Sequence, residues 1–94
     1  MSDLLCRIVV RHRDGSVRAV ARVDYADAHL ADFQWRMTPP GYVYRTEKGQ
    51  TIYLAREILG LEAGGPLEAD HINRDKLDNR RANLRIVTPA ENRQ

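Results

Sequence analysis

The chain has 94 residues, 43% of them hydrophobic and 30% charged, with a formal net charge of +2. That length suits one domain with a limited core, 1–94, and the hydrophobic share excludes wholesale disorder. No apolar run approaches the roughly 20 residues a membrane span needs, and Met1–Leu5 lacks the basic-then-apolar order of a signal peptide.

Cys6 is the only cysteine, so no intrachain disulfide forms, and a reducing, intracellular setting is expected. One Cys with His12, His29 and His71 also lacks the paired ligand spacing of a structural zinc site. The charge is unevenly placed. Residues 1–70 hold 9 Lys/Arg against 10 Asp/Glu, whereas residues 71–94 hold Arg74, Lys76, Arg80, Arg81, Arg85 and Arg93 against Asp75, Asp78 and Glu91. A basic excess there suits a polyanion and equally suits a solvated surface.

In chain order, 6–11 and 17–23 are rich in β-branched residues and flank Asp14-Gly15, a hairpin turn signal. Val17, Ala19, Ala21 and Val23 alternate with Arg18, Val20 and Arg22, which gives the second strand one mostly apolar face. Residues 24–33 predict a short helix with Asp24 as N-cap. Trp35 falls on a short strand, and Pro39-Pro40-Gly41 is a turn. Residues 42–46 and 51–54 flank Glu47-Lys48-Gly49-Gln50 as a second hairpin, and Ala55–Leu59 is a brief helix stopped by Gly60. Trp35 and the four tyrosines read as core in preference to a base-stacking platform.

The chemistry is concentrated in the last quarter. Leu67–Ile72 and Leu84–Thr88 predict two strands joined by a polar loop, Asn73 to Asn83. Thr88-Pro89-Ala90-Glu91 is a capping box, so a helix starts near Pro89 and carries Asn92. A carboxylate, an imidazole and several carboxamides recur here among arginines. Such a set suits one divalent cation and one phosphodiester, and makes a nuclease the leading reading.

This segment resembles the HNH endonuclease family in its phage and homing-endonuclease branch, where the last metal-binding His is an Asn. The resemblance is carried by Asp70-His71, by Asp78-Asn79-Arg80-Arg81 with Asn83-Leu84-Arg85, and by Glu91-Asn92. A weaker likeness runs upstream through Trp35, Gly41-Tyr42 and Tyr53–Ile58. It implies an α+β fold of small antiparallel hairpins and short helices. Residues 1–66 would form a β-rich support, and residues 67–94 a ββα-metal (His-Me finger) nuclease motif. By position, Asp70 and Asn92 would hold one Mg²⁺, Mn²⁺ or other divalent cation, His71 would be the general base, and Asn83 would pin the loop. The implied activity is hydrolysis of double-stranded DNA, leaving 5′-phosphate and 3′-hydroxyl ends, by an intracellular protein of phage type.

The residue chemistry agrees with those roles. A carboxylate and a carboxamide offer oxygen to a hard cation. An imidazole takes a proton near neutral pH, and Arg74, Lys76, Arg80, Arg81 and Arg93 suit neighbouring phosphates. Arg85 alternates with apolar neighbours, and phosphate contact and plain solvation fit it equally. Asn73 and Asn79 read as loop braces. Asp78 reads as a cap or brace that pairs with an arginine. Adjacent strand residues face opposite sides, so Asp70 and His71 serve one phosphate only if the strand ends or bulges at that pair. One motif supplies one active site, so a monomer or weak homodimer that nicks single strands is expected.

Two departures from the family pattern stand out. Ala55 occupies a place before Arg56 where members commonly carry His, and the last helix is short. They motivate a rival reading, a DNA-binding module that keeps the fold and cleaves poorly. A second rival is an RNA- or protein-binding domain whose polar loop is only structural.

Overall fold

The computed structural model describes residues 5–92. It begins with an antiparallel hairpin, β1 (Leu5–Arg11) and β2 (Val17–Asp24), in register from Leu5 opposite Asp24 to Val10 opposite Ala19. The register shifts by a bulge at Arg11, just before the turn. Asp14 closes that turn by accepting both the backbone N–H and the hydroxyl of Ser16. Ile8, Val10, Ala21 and Val23 point into the core, as the period-two pattern of the strands requires.

The expected helix after β2 is a 3₁₀ helix, Tyr25–Asp32. Asp24 stands at its N-cap position but makes no side-chain cap bond. Its carboxylate instead accepts the backbone N–H of Arg81 at 2.8 Å, so a tertiary contact displaces the local one. Trp35 is buried and bridges to Val10, and its indole N–H donates to the carbonyl of Leu30 at 2.7 Å. A three-stranded sheet follows, β3 (Arg36–Met37), β4 (Val43–Glu47) and β5 (Gln50–Tyr53), in the order β3-β4-β5. Lys48 and Gly49 both take positive φ, 51° and 78°, which supplies the twist a two-residue hairpin turn needs. Helix α1 (Leu54–Leu59) ends at Gly60, whose left-handed φ of 73° lets its N–H cap the last turn.

The tyrosines depart from the core reading. Tyr42 is 41% exposed, Tyr25 and Tyr53 are exposed, and Tyr44 is half-buried. Alternation along β4 explains this, since Val43 and Arg45 take the inward positions and leave Tyr42 and Tyr44 on the other face beside Tyr53. The inward Arg45 is held by Glu57 and Glu47 and lies 3.9 Å over the Phe33 ring.

The last part of the chain is a ββα unit. Strand β6 (Glu68–His71) pairs antiparallel with β7 (Leu84–Val87), and α2 (Pro89–Asn92) follows. The expected capping box forms: Glu91 N–H donates to Thr88 Oγ1, and Thr88 N–H donates to Glu91 Oε1. One apolar cluster runs from Ile8 and Val10 through Trp35, Leu54 and Ile58 to Leu84. Two backbone bonds add the loop to the first hairpin. Arg22 N–H donates to Leu77 O at 2.7 Å, and Asn79 N–H donates to Arg22 O at 2.8 Å, so Leu77–Asn79 covers the outer edge of β2. Arg81 adds a two-pronged pair to the buried Asp27. No helix among the described residues is long and apolar enough to cross a membrane.

Candidate active site

The site is organised around the end of β6. Pairing is regular through His71 opposite Leu84, and the strand stops there without a bulge. Arg74 N–H then donates to His71 O, and Arg74 takes a φ of 67°, which turns the chain sharply into the loop. Asp70 and His71 keep the alternation of a strand. Asp70 Oδ2 accepts from Arg85 Nε at 2.7 Å across the sheet, while His71 is 8% exposed and turns inward to Asn79. Because the strand ends at the pair, both residues still line one polar hollow of about 410 Å³, with Asn92 on its far wall and Arg74 and Lys76 at its margin.

The imidazole is oriented by Asn79, which is 1% exposed. Asn79 Oδ1 lies 2.9 Å from His71 Nε2, and Asn79 Nδ2 donates to the carbonyl of Lys76. With its amide nitrogen engaged by a carbonyl, Asn79 presents oxygen to the ring. His71 Nε2 therefore carries the proton and Nδ1 keeps its lone pair.

Asn83 ties the loop at both ends. Its Oδ1 accepts the Asn73 N–H, and its Nδ2 donates to Asn73 Oδ1 and to Asp78 O. Asn73 Nδ2 donates in turn to Asp78 Oδ2. Asp78 is buried against Arg80, whose guanidinium, with the Arg80 and Asn73 hydrogen bonds, holds the carboxyl down at about 2. Asp75 accepts the Leu77 N–H and pairs with Arg22, and these lower its pKa in that order.

The expected phosphate contacts separate into two groups. Arg80, Arg81 and Arg85 are paired with Asp78, Asp27 and Asp70 respectively. Arg74 is exposed and Lys76 lies over the Tyr42 ring, 4.5 Å from its centre, while donating to Pro40 O. Arg93 lies outside the described residues.

The donor set at the hollow is hard oxygen. Arg85 binds one oxygen of Asp70 and leaves the other. Asn92 Nδ2 donates to Glu68 Oε1 at 2.9 Å, which leaves the carboxamide oxygen of Asn92 for a cation. Among the described residues no cluster of three or more His, Cys, Asp or Glu forms. A cation held by Asp70 and Asn92 would meet a carboxylate–carboxamide pair, which fits Mg²⁺ or Mn²⁺ far better than a soft metal. Behind His71 lies a second, mainly apolar hollow of about 230 Å³ lined by Tyr42, Tyr53 and Ala55.

The family profile described as HNH endonuclease matches residues 58–94. Over those residues the chain is similar to HNH endonucleases. No curated protein and no solved structure matches the chain. The HNH segment so defined contains Asp70, His71, Asn83 and Asn92, and begins inside α1, downstream of Ala55.

Three contacts of the HNH segment were not foreseen from the sequence. Asn79 read as a loop brace, and besides bonding the Lys76 carbonyl it also meets the imidazole. Glu68 orients Asn92, and Asp27 anchors Arg81 from 54 residues away. Glu68 precedes Asp70 by two residues on the same strand and so shares its face, a signal that period-two reading contained. Asp27 carried no comparable signal.

Proposed function

We propose that the chain is a metal-dependent HNH endonuclease that hydrolyses DNA phosphodiesters one strand at a time, leaving 5′-phosphate and 3′-hydroxyl ends. The observation that carries this reading is the convergence of Asp70, His71 and Asn92 on one polar hollow edged by Arg74 and Lys76. Asp70 and Asn92 would hold a single divalent cation. When bound, such a cation polarises the phosphoryl group and stabilises the leaving oxygen. His71 accepts the proton of the attacking water at Nδ1, because Asn79 keeps the proton on Nε2. Asn83 fixes the turn that follows His71 through Asn73 and Asp78. Arg74 and Lys76 contact the phosphates beside the cleaved bond, while Arg80 and Arg81 hold the loop in place.

One observation favours a weaker enzyme. Ala55 is buried and lines the hollow behind His71, and brings no imidazole to it. A plasmid-nicking assay with Mg²⁺, Mn²⁺ or EDTA, beside His71→Ala, separates the two readings. Nicking that needs metal and disappears in the variant supports the enzyme. Duplex binding with no nicking in any metal makes the chain a binding module.

A further inference from the structure

Most of the arginines that find no carboxylate partner lie outside the HNH segment, where Arg74 is the exception among the described residues. Arg22, Arg45, Arg80, Arg81 and Arg85 all sit in salt bridges. Among the described residues Arg7, Arg11, Arg13, Arg18, Arg36, Arg56 and Arg74 form none, and the first five belong to the first hairpin and the segment beside it. Four of them, Arg7, Arg11, Arg13 and Arg36, line a single hollow of about 480 Å³ floored by Phe33 and Trp35, with no Asp or Glu in its wall.

Strand register explains how they gather. Ile8 and Val10 point into the core, so Arg7, Val9 and Arg11 take the opposite face of β1. Arg7 sits directly opposite Arg22, a like-charge pair that costs stability on an isolated sheet. Arg22 has Asp75 to offset its charge, whereas Arg7 has no such partner. Arg11 and Arg18 each give one N–H to a backbone carbonyl, of Gly15 and Met37, which fixes the side chains without neutralising them.

We infer that this arginine face of the β1–β2 hairpin binds the phosphate backbone of duplex DNA, as a second contact surface separate from the candidate active site. A guanidinium set with no internal counter-charge and a planar fork at each position matches repeated phosphates. The molecule measures 40 × 37 × 21 Å, close to one helical turn of duplex, so one short duplex is long enough to meet both surfaces. The inference rests on duplex DNA being the ligand of the HNH segment. Its test is therefore read as binding in EDTA, apart from cleavage.

The test uses the full chain carrying His71→Ala, with and without Arg7→Gln, Arg13→Gln and Arg36→Gln together. None of these three side chains makes an ion pair, and an unchanged thermal midpoint verifies that the variant folds. Anisotropy of a labelled duplex is followed from about 50 to 200 mM salt. Loss of three phosphate contacts flattens the slope of log affinity against log salt by about 2 to 3 and weakens low-salt binding at least about tenfold. A folded variant with unchanged slope and affinity overturns the inference. So does a parent protein that binds no duplex, or a loss confined to anionic vesicles or acidic peptide. Wild-type protein that nicks in no metal, with the slope still flattened by the variant, leaves this inference standing and removes the nuclease reading alone.

Discussion

Asn79 Oδ1 stands 2.9 Å from His71 Nε2, and the backbone N–H of the same Asn79 is bonded to Arg22 of the first hairpin. One residue thus connects the edge of β2 to the imidazole. The N-terminal hairpin is in this sense tied to the candidate site, because it helps set where the Asn79 oxygen stands beside the ring. Asn79→Leu keeps the volume and removes that acceptor. Single-turnover nicking by Asn79→Leu is expected to fall about 10- to 100-fold, the range seen when an orienting partner of a site histidine is lost. Asn79→Asp retains an acceptor and is expected to keep more of the rate. A folded Leu variant that nicks as fast as wild type would show that the bond does not orient the base.

Arg74 holds a left-handed φ of 67°, a conformation that disfavours a side chain by about 1 kcal/mol relative to glycine. Arg74→Gly should therefore raise unfolding free energy by about 1 kcal/mol in urea titrations. The same change should weaken duplex binding, since it removes a guanidinium from the margin of the hollow. Opposite signs in the two measurements are the expected result.

Arg85 pairs with the carboxylate proposed to hold the cation. A positive charge beside that ligand competes with a second positive charge. Arg85→Gln is expected to tighten Mn²⁺ binding several-fold in calorimetric titration, whereas a residue acting only on phosphate would leave metal affinity unchanged.

Acid should open the loop. Asp78 is held at about 2 chiefly by Arg80, and Asp75 is lowered by the Leu77 N–H and Arg22. Free carboxyls of this type titrate near about 4. The unfolded chain therefore takes up protons before the folded one as pH falls. The stabilisation is complete above about pH 4 and is lost as pH drops through about 2. For Asp78 it amounts to about 2 kcal/mol. Stability measured between about pH 6 and pH 2 should fall steeply in the wild type and less steeply in Asp78→Asn.

What could be read from the sequence was local. Asp14-Gly15 and Lys48-Gly49 encode their turns, Gly60 encodes a helix stop, and Thr88 with Glu91 encodes a cap, each within a few residues. The ββα order of the last quarter followed from the same kind of signal. The contacts that escaped join distant positions: Arg22 to Leu77 and Asn79, Arg81 to Asp24 and Asp27, Arg45 to Glu57. Charge counting misled for the same reason. Three arginines of the basic C-terminal segment, Arg80, Arg81 and Arg85, pair with carboxylates once folded, whereas the nearly balanced N-terminal region gathers Arg7, Arg11, Arg13 and Arg36 around one hollow. Period-two alternation put Ala21 and Val23 on one apolar face, and both are buried, yet by itself it does not say which strand face a tyrosine will share.

Leu77–Asn79 does more than hold a histidine. It lies along the outer edge of β2, while Trp35 bridges to Val10 of β1 on the other side of the hairpin. Exposed strand edges recruit strands from other chains and so promote aggregation. Each edge of this hairpin is engaged at one place, at Arg22 on β2 and at Val10–Arg11 on β1, which leaves a foreign strand less uninterrupted edge. Changes that loosen Asn79 or Asn83 are therefore expected to bare the edge of β2 as well as to disturb the candidate site.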